Sequence, residues 1–496
     1  MTAAEITTSE SSKTSLPSLS SNSPASQGVD SSRIAQFLDA FEAAPGADPH
    51  SLMILRHGHV VAEGWWAPYT RDRRQLLYSL SKSFTSTAAA FACAEGLLRL
   101  DDPVVSYFPE FEAEITDPRS RAILVRHLLS MASGHSEEQW GEAVTRDPNE
   151  PVRGFLLGGP DREPGSVFAY NQPCTHAVAA IIQRASGERL VDYLRPRLFD
   201  PLGIGDVAWR QRPAGRDLGH SGLHATTEAV AKLGQLYLQR GVWNGVRLLS
   251  EEWVEQATRQ QIDNSGRGEK ADWEQGYGFQ FWMSRHGYRG DGAYGQYCVI
   301  LPEQDAVIAI TSETIDMQVL LDLVWQHLIP AFDGEPDAAA DAELAERLSQ
   351  LALPACTGSA AGKLDAFVCA ADKGPITELH AEQSPDDSGD WLLTLTEREV
   401  EEPIGLEYGS FPRGPFTLRL APGGGWRTSA PDELPTAVSG GWTDPDTLRF
   451  DVLFLETPHR MYVTCDLEEG TVEAHFVNDW LGTGLISRLR APLSTP

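Results

Sequence analysis

Six lysines occur among the 496 residues, and only Lys82 has a serine, Ser79, three positions before it. Within a helix, residues three apart share a face and lie within hydrogen-bonding reach. A serine hydroxyl is a weak nucleophile until a neighbouring base removes its proton. Lysine can be that base only when its pKa falls well below about 10.4. The run that follows, TSTAAAFACAEGLL, is apolar around its circumference, so the helix is expected to be buried at the centre of a domain. Desolvation there disfavours the charged ammonium. The N-terminus of such a helix also offers positive potential and N–H groups that suit an oxyanion. The chemistry open to this pair is acyl transfer through a serine ester. Alone, so short a spacing also arises by chance, but an idle lysine in this helix would be costly.

The elements around the pair follow from periodicity. Ser51–Trp66 reads as two strands about a His-Gly-His turn. Amphipathic helices are expected at Ile123–Met131, His176–Ser186, Leu190–Leu198, Thr227–Gln239 and Glu251–Gln260. Strands return at Gly278–Trp282, Gly295–Leu301 and Ala306–Ser312, and a helix at Met317–Leu328 closes the unit. Strands at both ends of this stretch imply one sheet built from both chain ends, with a helical block inserted between them. The Ala-rich acidic segment 336–352 reads as a linker or short bridging helix. Residues 353–496 carry short alternating runs such as Trp391–Thr396 and Thr447–Leu455, punctuated by Gly, Pro and Asp, which suggest an antiparallel β-barrel or sandwich.

The run Tyr78-Ser79-Leu80-Ser81-Lys82-Ser83 resembles the S-x-x-K element of the penicillin-binding-protein and class C β-lactamase superfamily. The likeness continues through Gly96–Val104, Phe108–Phe111, Val125–Gly134, Pro201–Ile204 and Ser221–Thr226, and covers roughly residues 33–335. It implies an α/β sandwich: an antiparallel sheet flanked by helices, with a helical subdomain across a cleft. Ser79 and Lys82 would lie on the cleft floor. Tyr170, in Phe168-Ala169-Tyr170-Asn171-Gln172, matches the family's second element. The resemblance implies that it shares proton transfer with Lys82, a cationic neighbour lowering its phenol pKa from about 10. Gln172 departs from the usual Asn or Ser, which leaves its contacts to a substrate amide open.

The third element, K-T-G or H-x-G in the family, aligns with Gly290-Asp291-Gly292, with Gly290 at the Lys or His position. The Ala293 N–H would complete an oxyanion hole with that of Ser79. His286 and Arg289 are candidates to bind or orient substrate, a structural role being the alternative for each. Without the third-element lysine a β-lactam carboxylate loses its usual partner, so the branch implied is esterase-like, with a carboxylic ester favoured over an amide. Two alternatives stay open: a non-catalytic binding or scaffold protein of this fold, and a peptidase acting on D-amino-acid peptides, in which extra β-domains also occur.

Composition narrows the partners. With Lys+Arg 40 against Asp+Glu 70 the net charge is −30, which disfavours nucleic acid and anionic membranes. Neither H-E-x-x-H nor a phosphate-binding glycine loop occurs, so the expectation is a small ester or amide substrate with no metal and no cofactor. Oligomeric state leaves no trace in the sequence. Six scattered cysteines without a C-x-x-C pair read as reduced thiols, most of them buried. Residues 1–32, rich in Ser and Thr, read as a disordered leader without a signal-peptide core, and a cytoplasmic location is expected. Arg56-His57-Gly58 matches the core of a phosphohistidine motif, but His57-Gly58 falls where a hairpin must turn.

Overall fold

The computed structural model describes residues 19–362, 365–386, 388–399, 414–430, 433–482 and 485–492. Residues 52–55 form a continuous apolar run, and such a run becomes a strand buried on both faces. The strand is β1, Ala47–Arg56, and it turns at His57-Gly58 into β2, His59–Trp65. Both turn residues have positive φ, 51° and 80°, as a two-residue hairpin demands. Four strands from the distal end of the domain join them: β3 (Trp282–Met283), β4 (Tyr288–Gly292), β5 (Gln296–Leu301) and β6 (Ala306–Thr314). The sheet is antiparallel throughout, in the order β2-β1-β6-β5-β4-β3.

The period of two sorts its side chains into two cores. Met53, Leu55, Val307, Ala309, Cys298 and Ile300 face the nucleophile helix α2, Ser81–Ala94, and α4, Thr227–Leu238. Leu52, Ile54, Ile308, Ile310 and Val299 face α1, Ser31–Ala43, whose Ile34, Phe37, Leu38 and Phe41 form a buried stripe at helical spacing. On the α2 side a helical block, including α3, Gln172–Ser186, packs across a cleft. The expected sandwich with its helical subdomain is therefore present.

Two expectations change. Gly278–Trp282 is a strand only at its last residue. Glycines at 276 and 278, the latter with its missing Cβ 2.1 Å from the Ala257 carbonyl, and Gln280 at φ 63° turn the chain there. Residues 19–32 are ordered rather than part of a disordered leader. Val60 of β2 exchanges backbone hydrogen bonds with Ser20 and Asn22, and Asp30 caps α1. The rest of the expected leader, residues 1–18, lies outside the described residues. Segment 336–352 contains helix α5, Ala338–Ser349, which buries Leu344 in the same core as α1.

Among the described residues, the C-terminal region is a nine-stranded sheet curled into a nearly closed barrel: β7 (Phe367–Ala370), β8 (Ile376–Gln383), β9 (Trp391–Glu397), β10 (Phe416–Leu420), β11 (Arg427–Thr428), β12 (Thr436–Trp442), β13 (Thr447–Phe454), β14 (Arg460–Asp466) and β15 (Thr471–Phe476). Its order is β10-β9-β8-β7-β15-β14-β13-β12-β11, with one parallel contact, β7 to β15. Alternate residues such as Leu393, Leu395, Phe450 and Val463 fill the interior. Ala437, Leu453 and Leu455 leave that interior and pack into the α1 core, so the two domains share apolar contacts. No disulfide joins the six cysteines, and Cys174, Cys298, Cys369 and Cys465 are buried. No helix among the described residues is long and apolar enough to cross a membrane.

Candidate active site

Ser79 lies in a single 3-10 turn, Tyr78–Leu80, that leads directly into α2, and Lys82 is the second residue of the helix. The turn is fixed from two sides. Leu77 N–H donates to the Leu223 carbonyl at 2.8 Å, and Leu223 N–H donates to Ser81 Oγ at 3.0 Å. Lys82 is 1% exposed, and its Nζ lies 3.0 Å from Ser79 Oγ, 2.7 Å from Gln172 Oε1 and 2.8 Å from the His220 carbonyl. Burial pushes the lysine down to about 7, against the opposing pull of Asp291 and Glu138.

These three contacts determine what the neutral amine can do. A neutral lysine has two N–H bonds and one lone pair. Gln172 Oε1 and the His220 carbonyl can only accept, so they take both N–H bonds. The lone pair is then left to the Ser79 hydroxyl, which is the geometry of a general base.

Gln172 thus lines the cavity with its carbonyl oxygen already spent on Lys82. Its own backbone N–H, and that of Trp140, donate to Glu138, which ties the start of α3 to the 137–140 loop. His220 is buried and neutral, its ring against Trp140 at 4.4 Å.

Tyr170 is held just before α3, where Ala169 N–H donates to the Met131 carbonyl at 3.0 Å. Its ring stacks on Trp282 at 5.2 Å, and Lys82 Nζ sits 4.7 Å from the ring centroid. Its hydroxyl is hydrogen-bonded to the Ser79 side chain. The expected lowering of the phenol's pKa is reversed. Burial and the Asp291 carboxylate push it up, and a lysine that titrates near 7 offers little positive charge to oppose them. At neutral pH Tyr170 is a protonated phenol, able to donate.

The third element explains its own degeneracy. Strand β4 passes so close to the nucleophile turn that a Cβ at Gly290 would meet Leu80 Cδ1 and Ser83 Oγ at 2.5 Å. At Gly292 it would meet the Leu77 carbonyl at 2.1 Å. A Lys or His at position 290, where the alignment puts it, would have to displace the Leu80 and Ser83 side chains.

Asp291 does line the cavity, paired from behind with Arg289, and burial raises its pKa. Arg289 is fully buried between Asp291, the Asp272 carbonyl and the Trp273 ring, so it lies behind the cavity wall. His286 is at an exposed hairpin tip against Trp325 and does not reach the cavity.

The cleft is a cavity of about 570 Å³ that brings Ser79, Tyr170, Gln172, Asp291 and Ala293 together. Sequence reasoning missed most of its wall. Trp140, Phe168, Trp273 and Trp282 come from the first domain, and Trp480, Leu481 and Arg488 from the C-terminal one. His220 stands one residue before a quoted landmark and Asp291 inside the third element, so both could have been singled out. Nothing in the chain's local pattern marks the C-terminal residues.

A family model described as Beta-lactamase matches residues 34–317, more than half of the chain. The chain belongs to the beta-lactamase family. It is similar to 6-aminohexanoate-dimer hydrolase of Paenarthrobacter ureafaciens, 27% identical over 287 residues, covering 54% of this chain and 73% of that one. It is also similar to esterase EstB of Burkholderia gladioli, 26% identical over 180 residues, covering 32% of this chain and 46% of that one. Among solved structures, a Bacteroides dorei DSM 17855 protein assigned as a beta-lactamase superposes with a TM-score of 0.51 at 17% identity, covering 61% of this chain and 99% of that one. That likeness is one of fold. The matched residues include Ser79, Lys82, Tyr170 and Asp291, and end before the C-terminal domain begins.

Proposed function

We propose that the protein hydrolyses a carboxylic ester of a small molecule through an acyl-enzyme on Ser79. The observation that carries the reading is the orientation of Lys82, whose two acceptors reserve its lone pair for Ser79 Oγ. Lys82 takes the hydroxyl proton as Oγ attacks the carbonyl carbon. The oxyanion is held by the N–H groups of Ser79 and Ala293. As the tetrahedral intermediate collapses, Tyr170 gives its proton to the departing alkoxide. The Lys82 ammonium then returns a proton to the phenolate. Water attacks the ester carbon, its proton passing to the same pair, and the acid leaves with Ser79 restored. An amide is the alternative substrate. Esters are favoured because the third element carries Gly290 where the family's lysine would hold a β-lactam carboxylate.

The direct test is labelling with a fluorophosphonate followed by peptide mass spectrometry. One phosphonyl group on the Ser79 peptide is expected. Full incubation without an adduct on Ser79 would turn the assignment to a non-catalytic binding protein of this fold.

The role of Tyr170 makes a separate prediction. Aryloxide leaving groups depart without a proton, whereas alkoxides need one. Tyr170→Phe should therefore lower kcat for alkyl esters by about 10²–10³-fold, with a much smaller loss for p-nitrophenyl esters. Equal losses on both, read from a leaving-group series, would remove Tyr170 as the acid.

A further inference from the structure

Two residues near the reacting centre have strained backbones. Tyr78 and Tyr294 have φ of 46° and 65°, in the left-handed region that L side chains seldom adopt. Such conformations persist only where the surroundings over-determine them. Their places in the chain are telling: Tyr78 immediately precedes Ser79, and Tyr294 immediately follows Ala293. They flank the two residues whose amides form the oxyanion hole in the reading above, on which this inference rests.

Tyr294 is held partly by its own hairpin, where its carbonyl accepts from Thr314 N–H and Ser312 Oγ, each at 3.0 Å, but the contact that joins the two tyrosines' rings from behind comes from the other domain. The rings of Tyr78 and Tyr294 approach each other at 5.2 Å, and both meet the edge or face of His459, at 6.0 Å and 5.0 Å with interplanar angles of 88° and 82°. The Tyr78 hydroxyl is hydrogen-bonded to His459 Nε2 at 2.6 Å. His459 is buried, and burial beside Arg210 pushes its imidazole down to about 3, so the ring is neutral. It ends the turn between β13 and β14. That turn is fastened to the same stretch of chain, because Leu76 N–H donates to the Glu456 carbonyl at 2.9 Å. Glu456 in turn accepts from Ala491 N–H at 2.7 Å, which anchors the turn to the end of the described chain.

We propose that His459 is a positioning residue of the oxyanion hole, through which the C-terminal barrel sets the geometry of acyl transfer. The orientation of the Ser79 amide depends on the backbone of Tyr78, and the turn after Ala293 on that of Tyr294. The anchored pair of rings holds the Ser79 amide plane directly, and steadies Ala293 through the turn that follows it, against relaxation into commoner conformations. A preorganised donor pair stabilises charge only as it develops, so the effect belongs to kcat rather than to ground-state binding.

The test compares wild type with His459→Ala, His459→Gln, Tyr78→Phe and the His459→Ala/Tyr78→Phe double variant, on a p-nitrophenyl ester and its thionoester. An aligned oxyanion hole favours the oxygen ester, because sulfur is larger and accepts hydrogen bonds weakly. His459→Ala should lower kcat on the oxygen ester by about 10–100-fold and shrink the oxygen-over-sulfur preference, with KM within about twofold. Tyr78→Phe should lose in the same direction, and the double variant little more than the worse single one. His459→Gln, which keeps a hydrogen-bonding group there, should recover part of the loss.

A folded His459→Ala with unchanged kcat and unchanged preference overturns the proposal, as does a loss confined to KM. If His459→Ala does not fold, Tyr78→Phe, which deletes one oxygen, decides by the same two readouts. Turnover retained by Ser79→Ala would instead overturn the acyl-enzyme reading beneath it.

Discussion

Ser79→Ala should lower kcat on an activated ester by on the order of 10⁶, the scale seen when a catalytic nucleophile is deleted. What survives is the help that a cavity and donors give to direct attack by water. The change should be nearly silent in stability. Ser79 is only part-buried, and alanine preserves the helical turn, so the loss amounts to about one hydrogen bond, roughly 1 kcal/mol. Thermal melts alongside initial rates make the distinction. A variant that melts with the wild type and has lost turnover places the nucleophile at Ser79. A variant that keeps the wild-type rate removes the acyl-enzyme and leaves a fold that binds without reacting. Substrate affinity should persist in the inactive variant, because the cavity wall is built mainly from Trp140, Phe168, Tyr170 and Trp282, which the substitution leaves alone.

How much of this was legible in the sequence depends on whether the determining contact is local. The Ser79–Lys82 approach follows from a spacing of three on one helix. The sorting of Met53 and Leu55 away from Leu52 and Ile54 follows from the period of a strand. Gln172 was legible as a residue of the second element but not as the partner of Lys82, because that contact joins residues 90 positions apart. The sign of the Tyr170 shift was missed for a related reason. A cationic neighbour was counted, while burial and the Asp291 carboxylate, brought in by β4, outweighed it. His286 and Arg289 show the converse. Charge and placement near the third element made them candidates, yet the Arg289 guanidinium is held by Asp291, the Asp272 carbonyl and the Trp273 ring behind the wall, and the hairpin carries His286 outward.

The least legible part is the C-terminal contribution. The turn carrying His459 lies 381 positions from Tyr78, and Trp480 lies farther still along the chain. Alternating runs predict a barrel or a sandwich, and nine strands among the described residues form a nearly closed barrel, but a barrel's register says nothing about which of its turns meets a neighbouring domain. The same limit applies at Gly290. Its missing side chain reads from sequence as a lost function, whereas in the fold it is a close approach of β4 to Leu80 and Ser83.

Lys82→Met should lower kcat by about 10²–10⁴-fold, the usual contribution of a general base, while filling the same buried channel with an uncharged chain. In wild type the base is the neutral amine, so kcat/KM should rise with pH through about 7 and then level off. The plateau should extend well into the alkaline range, because burial raises the Tyr170 phenol and delays the loss of the acid. Glu138 stabilises the ammonium, so Glu138→Gln should move the rising limb to lower pH. A limb near 4, or no limb, would mean that a carboxylate or no side chain serves as base.

The same shift acts on stability, and its sign can be worked out. Between about 7 and the ordinary lysine value of 10.5, the unfolded chain binds a proton at Lys82 that the folded chain does not. Folding is penalised most below that window, and the penalty fades as pH rises through it, by about 1.4 kcal/mol per pH unit. Lys82→Met lacks the titrating group. The stability of the variant relative to wild type should therefore decline steadily from pH 7 to pH 10 in denaturant titrations. A flat difference would place the lysine pKa outside that window and return Lys82 to an ordinary, charged role.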